Sequence, residues 1–398
     1  MNNGKIPLLI WSDAVSAPSG LARICRDVAY RLQTYLGETF HLATIGYGGA
    51  SSTRYPWHQY AWAHNEAWII RELPEVWYDH AGNHQSGIIM TIQDPSRVIW
   101  FARPEACENA TVQKFLKRTK LQKWGYFPID ATGPNNKLSC TLGACLYGYD
   151  RLLCYSEWAE KIVLNTVGIS AAEDAGLHSL PHGIETDKFY PRGRDKNRQV
   201  FGMLSIGQKI SIEPDELLVG IVATNQPRKD FGLAMQICAE LAKNRRVRMW
   251  IHTDSVDRYW NLPYLFNDFG LHGQNIVSLG LIDDDTMAKL YSACDVTLGI
   301  GNAEGFGYPI FESLACGTPC IHGDYGGAAE HLAPEFKVKP EIFRVEGNFN
   351  CYRAIYDPLQ WVEKILGVLS MPAPKLPEHL DWKNLWPRWE AWFRKGIQ

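Results

Sequence analysis

Short apolar runs separated by helical patterns pass along this chain twice in the same order, and that repetition restricts the fold more than any other feature. In the first half the runs are IPLLIW (6–11), HLATIGY (41–47), GIIMTIQ (87–93), KWGYFPI (123–129) and DRLLCYS (150–156), with helical patterns such as LARICRDVAYRLQTYL between some of them. In the second half they are LLVGIVATN (217–225), VRMWIHTD (247–254), NIVSLGLI (275–282), CDVTLGIG (294–301) and TPCIHGD (318–324). Strands alternating with helices build a parallel sheet covered by helices. The chain is therefore expected to be α/β, with two Rossmann-like doubly wound domains.

Length agrees with that reading, because 398 residues exceed one ordinary core and fit two domains of about 180 to 200 residues. The segment PHGIETDKFYPRGRDKNRQ (181–199) is rich in Pro, Gly and charge, the composition of an interdomain connection. We place the domains at 1–182 and 183–375, with a C-terminal helix over 376–398. Ligands of open parallel sheets sit beyond the carboxyl ends of the strands, so two such domains are expected to face each other across one deep cleft.

Trp382, Leu385, Trp386, Trp389, Trp392 and Phe393 recur at helical spacing near the end of the chain. A membrane-surface helix is one reading. Glu378, Asp381 and Glu390 in the same segment favour the other, a helix packed at the domain interface. Hydrophobic residues make up 46% and charged residues 21%, a globular composition, and the net charge of -3 gives no global attraction to nucleic acid or membrane. No apolar run reaches the roughly 18 residues of a spanning helix, and the N-terminal apolar run is too short for a secretory signal. The protein is expected to be cytoplasmic, with its ten scattered cysteines reduced and packed as small apolar residues. Turn residues separate Cys316 from Cys320, and no matching pair stands nearby, so no metal is assigned there.

Three constellations carry chemistry. The stretch GNAEGFGYPIFESLACGTPC (301–320) follows an expected strand, and Pro309 suits the first turn of a helix. Gly305, Phe306, Gly307 and Tyr308 would then present backbone N–H groups to an anion, most simply a phosphate. Glu304 precedes that loop and Glu312 lies about one turn inside the helix. Carboxylates repel phosphate but accept hydrogen bonds from hydroxyls, so a polyhydroxylated ligand with a diphosphate meets both demands. Second, NQPRKD (225–230) puts Arg228 and Lys229 where a helix starts at the same sheet edge, as neutralising a leaving diphosphate without a metal requires. Third, Pro18, Ser19 and Gly20 open a helix after the first strand, where Gly20 lets backbone approach a phosphate. The bland alternatives are chance acids, a solvated basic turn and an ordinary helix start.

Together E-GFGYPIF-E, SLACGTP, VATNQPRKD, PHGIETDKFYP and the PSG loop resemble the retaining GT-B glycosyltransferases of family 4, in the expected order and over most of the chain. The resemblance implies a GT-B fold and a nucleotide-diphosphate sugar as co-substrate, a UDP-sugar ahead of a GDP-sugar, with no other cofactor and no obligatory metal. It implies that Glu304 contacts donor-sugar hydroxyls and Glu312 the nucleotide ribose. Arg228 and Lys229 would bind the diphosphate, with Gly20 near it, and the strand end at Leu281 and Ile282 would border the base. Many members carry a His at the end of the strand corresponding to KWGYFPIDATGP, where this chain has Ile129 and Asp130. Asp130 takes that place as the catalytic candidate on the acceptor side, with Asp94 of TIQDPSR the second candidate, and a capping or turn role competes for both. Asp283, Asp284 and Asp285 precede a helical pattern, and capping with the helix dipole accounts for them.

The acceptor is less constrained. KFLKRTKLQK (114–123) holds Lys114, Lys117, Arg118, Lys120 and Lys123 and no acid, and the upstream RYPWHQYAWAHNEAW (54–68) is dense in aromatics. Basic groups beside aromatic platforms suit a polyanion such as hydroxylated DNA or a phospholipid surface; a glycan acceptor or an ordinary solvated helix face is the alternative. The function expected is retaining, metal-independent transfer of a sugar to an acceptor hydroxyl. A nucleotide-sugar epimerase and a non-catalytic sugar-nucleotide binder are the rivals. The sequence sets no oligomeric state.

Overall fold

The protein is described here as a computed structural model covering residues 4–62, 67–82, 84, 86–204, 211–347 and 350–398. The chain divides into two compact units: Met1–His182 with Asn348–Cys351 and Trp386–Gln398, and Gly183–Gly347 with Tyr352–Leu385.

The first unit is built on β1 (Ile6–Asp13), β2 (Phe40–Tyr47), β3 (His58–Trp62), β4 (Ser86–Ile92), β5 (Lys120–Phe127), β6 (Arg151–Cys154) and β7 (His178–Ser179). They pair in parallel in the order β3-β2-β1-β4-β5-β6-β7. Sequence order reverses between β1 and β4, the point where doubly wound sheets leave a crevice beyond the strand ends. Leu8, Leu9, Ile10, Ile88, Ile89 and Met90 are almost wholly buried, as expected of strands covered on both faces. Helix α1 (Gly20–Leu36) starts at Ser19, whose hydroxyl accepts from the Ala22 N–H, and it buries Ile24, Val28 and Leu32.

The second unit is built on β8 (Leu217–Val222), β9 (Val247–Thr253), β10 (Asn275–Leu279), β11 (Val296–Gly299), β12 (Cys320–Gly323) and β13 (Lys337–Val338). Their parallel order is β10-β9-β8-β11-β12-β13, with the reversal between β8 and β11. A separate two-stranded sheet, β14 (Ile342–Glu346) with β15 (Cys351–Ile355), follows. The expected strands are all present, but most stop short of the polar tails of the sequence runs. Those tails form the loops at the carboxyl edges, where backbone leaves the ladder.

Two expectations change. KFLKRTKLQK is not one helix face: α2 (Ala110–Arg118) ends at Thr119, and Lys120 and Lys123 belong to β5. Phe115 and Leu116 bury against the sheet, while the β-branched Thr119 bonds back to the Phe115 carbonyl and closes the helix. Part of the aromatic segment is an edge strand, since His58–Trp62 pairs with β2. Residues 63–66 of that segment, and the side chains of 62–69, lie outside the described residues.

The aromatic stripe at the C-terminus forms a helix over Trp382–Lys395. From Trp386 onward it belongs to the first unit, where Trp389 donates to the Pro181 carbonyl at 2.9 Å and Trp392 and Phe393 pack on Trp124. Burying one such ring is worth about 2 to 3 kcal/mol, which favours docking on this sheet over a place in solvent or lipid headgroups. Among the described residues no helix is long and apolar enough to cross a membrane.

Candidate functional site

Arg228 and Lys229 follow β8, and Glu304 follows β11. Some 75 residues separate them in sequence, yet strand order puts both loops at the reversal point of the second sheet. The backbone ties the loops together. Asn302 N–H donates to the Arg228 carbonyl at 3.0 Å and Asp230 N–H to the Ile300 carbonyl at 2.9 Å, while Lys229 bridges Gly301. Asp230 in turn caps α3 (Phe231–Ala242) through the Leu233 N–H at 2.9 Å, fixing the exit of the basic loop.

The side chains converge on one oxygen. Arg228 Nη1 donates to Glu304 Oε2 at 3.0 Å and to the Ala303 carbonyl at 3.1 Å, and Lys229 Nζ donates to the same Oε2. Glu304 is buried. Burial alone would raise its pKa, but the Arg228 and Lys229 charges outweigh it and hold the carboxyl well below the ordinary carboxylate range. Gly301 makes this approach feasible, because a Cβ there would lie 3.0 Å from Glu304 Oε2 and 3.5 Å from Lys229 Nζ.

Beyond Glu304 the loop turns through Gly307 at φ +81°, where a Cβ would also come within 2.8 Å of Ile310. The helix α5 (Tyr308–Ala315) begins there, with Pro309 in its first turn. Phe306 anchors the loop by packing on Phe311 with ring centroids 4.8 Å apart, and Gly305 and Tyr308 flank that anchor. Glu312 is buried on α5 and accepts from the Tyr291 hydroxyl at 2.8 Å, Tyr291 lying on α4 (Asp284–Ala293). Leu281 and Ile282 follow β10, two strands from β8, or roughly 10 Å at strand spacing, and Leu281 is 79% exposed. The acids at the start of α4 are structural: Asp283 caps through the Thr286 N–H at 2.9 Å, Asp284 pairs with Lys188, and Asp285 pairs with Lys289.

Sequence reasoning missed His322, at the end of β12. It is fully buried, and its Nδ1 donates to the Gly299 carbonyl at 2.6 Å, so in the neutral ring Nε2 is left as an acceptor; that atom meets no partner among the described residues. Burial, then the Lys229 charge, lowers its pKa, with the Gly299 bond, Glu304 and Asp324 acting against them. Lying inside TPCIHGD, it read as part of a strand. Only its place beside Glu304 and Lys229 in space marks it out.

In the first unit, Gly20 is the first residue of α1, and a Cβ there would meet nothing within 4 Å. Asp94 caps the short helix Pro95–Arg97, accepting from the Ser96 N–H at 2.9 Å and the Ser96 hydroxyl at 2.7 Å. Asp130 lies in the loop after β5, two strand-ends away from Asp13. The basic residues do not join this edge. Lys120 starts β5 at its amino end, about 23 Å from the carboxyl edge, and Lys123 is its fourth residue, about 13 Å short of that edge. Lys123 is also half-buried, its Nζ donating to the Ala102 carbonyl at 3.2 Å above the Phe101 ring. Lys114, Lys117 and Arg118 stay exposed on α2.

Chemically, the second unit presents two cations at a sheet reversal point, neutralised by a buried carboxylate that also accepts hydrogen bonds.

Residues 205–340 match the family model of the glycosyl transferases group 1. A curated relative, the D-inositol 3-phosphate glycosyltransferase 2 of Catenulispora acidiphila, is 22% identical over 245 residues, covering 58% of this chain and 52% of that protein. The chain thus spans about half the length of the curated relatives it matches. Among solved structures, Anabaena HepE in complex with UDP and glucose superposes with a TM-score of 0.70 at 13% identity, over 98% of this chain and 100% of that one. Sucrose-phosphate synthase from Thermosynechococcus elongatus superposes with a TM-score of 0.69 at 15% identity, over 99% of each chain. Residues 205–340, which contain Arg228, Lys229, Glu304 and Glu312, are thus similar to the glycosyl transferases group 1, and the two Rossmann-like units share the GT-B fold of these neighbours.

Proposed function

We propose that the protein transfers a sugar from a nucleotide-diphosphate donor, a UDP-sugar ahead of a GDP-sugar, to an acceptor hydroxyl with retention at the anomeric carbon. One observation carries this reading: Arg228, Lys229 and Glu304 meet on one carboxylate oxygen at the reversal point of the second sheet. The donor diphosphate takes over the two cations, and the released Glu304 accepts hydrogen bonds from the donor-sugar hydroxyls. Glu312, steadied by Tyr291, holds the ribose, and the strand end at Leu281 and Ile282 borders the base. HepE was solved with UDP and glucose, which supports the choice of UDP.

The bond from anomeric carbon to phosphate oxygen breaks, the acceptor oxygen bonds to the same carbon on the same face, and the acceptor proton passes to the leaving phosphate oxygen. Arg228 and Lys229 stabilise the charge growing on that oxygen. No metal is needed for it. Asp130 and Asp94 stand on the acceptor side, and the setting is the cytoplasm. The test is turnover of UDP- and GDP-sugars with and without alcohol acceptors, with product configuration read by NMR. Transfer with retention is expected, whereas isomerised donor in the absence of acceptor would replace this reading with an epimerase.

A further inference from the structure

The carboxyl edge of the first sheet holds polar groups that the donor chemistry leaves unused. Asp13 ends β1 and Gln93 follows β4, at one level across the sheet's own reversal point. The Asp13 carboxylate accepts from the Ser19 hydroxyl and from Gln93 Nε2 at 3.2 Å, with Arg97 Nη1 3.8 Å away. This uses only half of the Gln93 amide. Its Oε1 is buried and meets no donor among the described residues, although Gln93 is only 1% exposed.

Two strands further on, Tyr155 follows β6. Its ring is wedged against Tyr126 and His182, with centroids 4.4 and 4.7 Å away, and it is 3% exposed. Its hydroxyl also meets no partner among the described residues. Burial, then the charges of Asp130, Asp13 and Asp94, push the phenol well above its ordinary value, so it remains a neutral O–H donor. An orphaned buried polar group costs about 1 to 3 kcal/mol. Two at one ligand-binding edge, one accepting and one donating, are complementary to a hydroxyl-bearing molecule.

We propose that Asp13, Gln93 and Tyr155 form the acceptor subsite of the first unit, and that it takes an uncharged polyol of about one ring, a sugar or cyclitol with no phosphate at the bound end. Gln93 and Tyr155 stand two strands apart, roughly 10 Å at the backbone, so their side chains reach hydroxyls on opposite sides of a six-membered ring. Asp13, Asp94 and Asp130 follow β1, β4 and β5 at this same edge, and their charges raise the Tyr155 pKa. Two guanidiniums at this edge are engaged, Arg97 donating to the Tyr47 hydroxyl beside Asp13 and Arg26 donating to the Val15 carbonyl at 2.8 Å, so the edge disfavours a phosphate. This inference rests on the glycosyltransferase reading.

The test measures binding of myo-inositol, methyl glucoside and glucose 6-phosphate to the full chain saturated with UDP, in wild type, Tyr155→Phe and Gln93→Leu. At least one neutral probe should bind, and more tightly than glucose 6-phosphate. Each variant should weaken that binding about tenfold while UDP affinity stays within twofold. Free Tyr155→Phe should melt no lower than wild type, because the lost hydroxyl has no partner. Tighter binding of the phosphorylated sugar, binding by neither neutral probe, or unchanged binding in both variants overturns the proposal. Failure of UDP itself to bind strikes instead at the donor reading on which the inference rests.

Discussion

The two sheets reverse their strand order at corresponding places but equip those places differently. At the second unit's reversal the groups are charged and already paired, with Arg228 and Lys229 on Glu304. Along the first sheet's carboxyl edge Asp13 is charged and paired, but Gln93 at the reversal and Tyr155 two strands further on are neutral, and each keeps an unmet atom. Charge explains the difference. Leaving an ion unpaired in a buried place costs several kcal/mol, so the cations and carboxylate of the second unit pair with one another, whereas a buried neutral group can stay half-satisfied at a cost of about 1 to 3 kcal/mol.

The sharpest way to break this contrast is to remove a cation. Arg228→Ala or Lys229→Ala should lower kcat by about a hundredfold or more at saturating donor, with thermal melting showing the protein still folded. Near-normal turnover in both would reduce the loop to a surface turn. Glu304→Gln should act in the opposite sense on binding. Turnover should drop by about tenfold or more because the donor-sugar contact is lost, yet UDP should bind several-fold more tightly because its competitor for the cations is gone. Weaker UDP binding in this variant would mean that Glu304 serves only to position the loop.

Glu312→Gln and Tyr291→Phe should each weaken UDP binding by up to about tenfold, with kcat at saturating donor nearly unchanged, since a ribose contact is made alike in ground and transition states. A fall in kcat with affinity intact would reverse the roles of the two glutamates.

The contrast extends to pH. In the first unit His80 is buried and stacks on His41 at 4.5 Å. Burial first, then His41 and His58, lower its pKa from 6.5 to about 4, against backbone bonds from His41 and Leu8. A histidine whose folded pKa is depressed binds its proton more readily unfolded, so stability falls as pH drops below 6.5 and continues to fall until about pH 4. The loss is about 1.4 kcal/mol at pH 5.5. His80→Gln should flatten that decline in urea melts. Glu304 behaves differently: its depressed pKa contributes stability above the ordinary carboxyl value of 4.5, lost only as pH falls below it. An unchanged slope in His80→Gln would show that another group governs the first window.

The smallest effect belongs to α2. Neutralising Lys114, Lys117 and Arg118 should alter transfer less than twofold and leave its salt dependence unchanged, because they sit on the helix that leads into the amino end of β5. A flatter salt slope, by about 0.7 to 0.9 for each lost phosphate contact, would restore a polyanionic acceptor.

What the sequence showed and hid follows the same physics. Period and punctuation marked the strands, and the basic pair and the glutamates were legible because their loops carry glycine and proline at set offsets. Lys120 and Lys123 read as helix because charge says nothing about where α2 stops, which Thr119 decides by bonding back to Phe115. His322 and Tyr155 were hidden because each ends an apolar strand and looks like core. Their unmet atoms exist only once the sheet is assembled. Asp94 was legible as a candidate and as a cap alike, and the fold gives it the capping bonds.

The proposed role of the second unit's cations is to hold a nucleotide diphosphate. Calorimetric titration of UDP, with GDP in parallel, into wild type, Glu304→Gln and the Arg228→Ala/Lys229→Ala double variant measures this directly. Wild type should bind one nucleotide, Glu304→Gln should bind it more tightly, and the double variant should lose about a hundredfold or more in affinity. Nucleotide binding by the folded double variant equal to that of wild type would contradict that role.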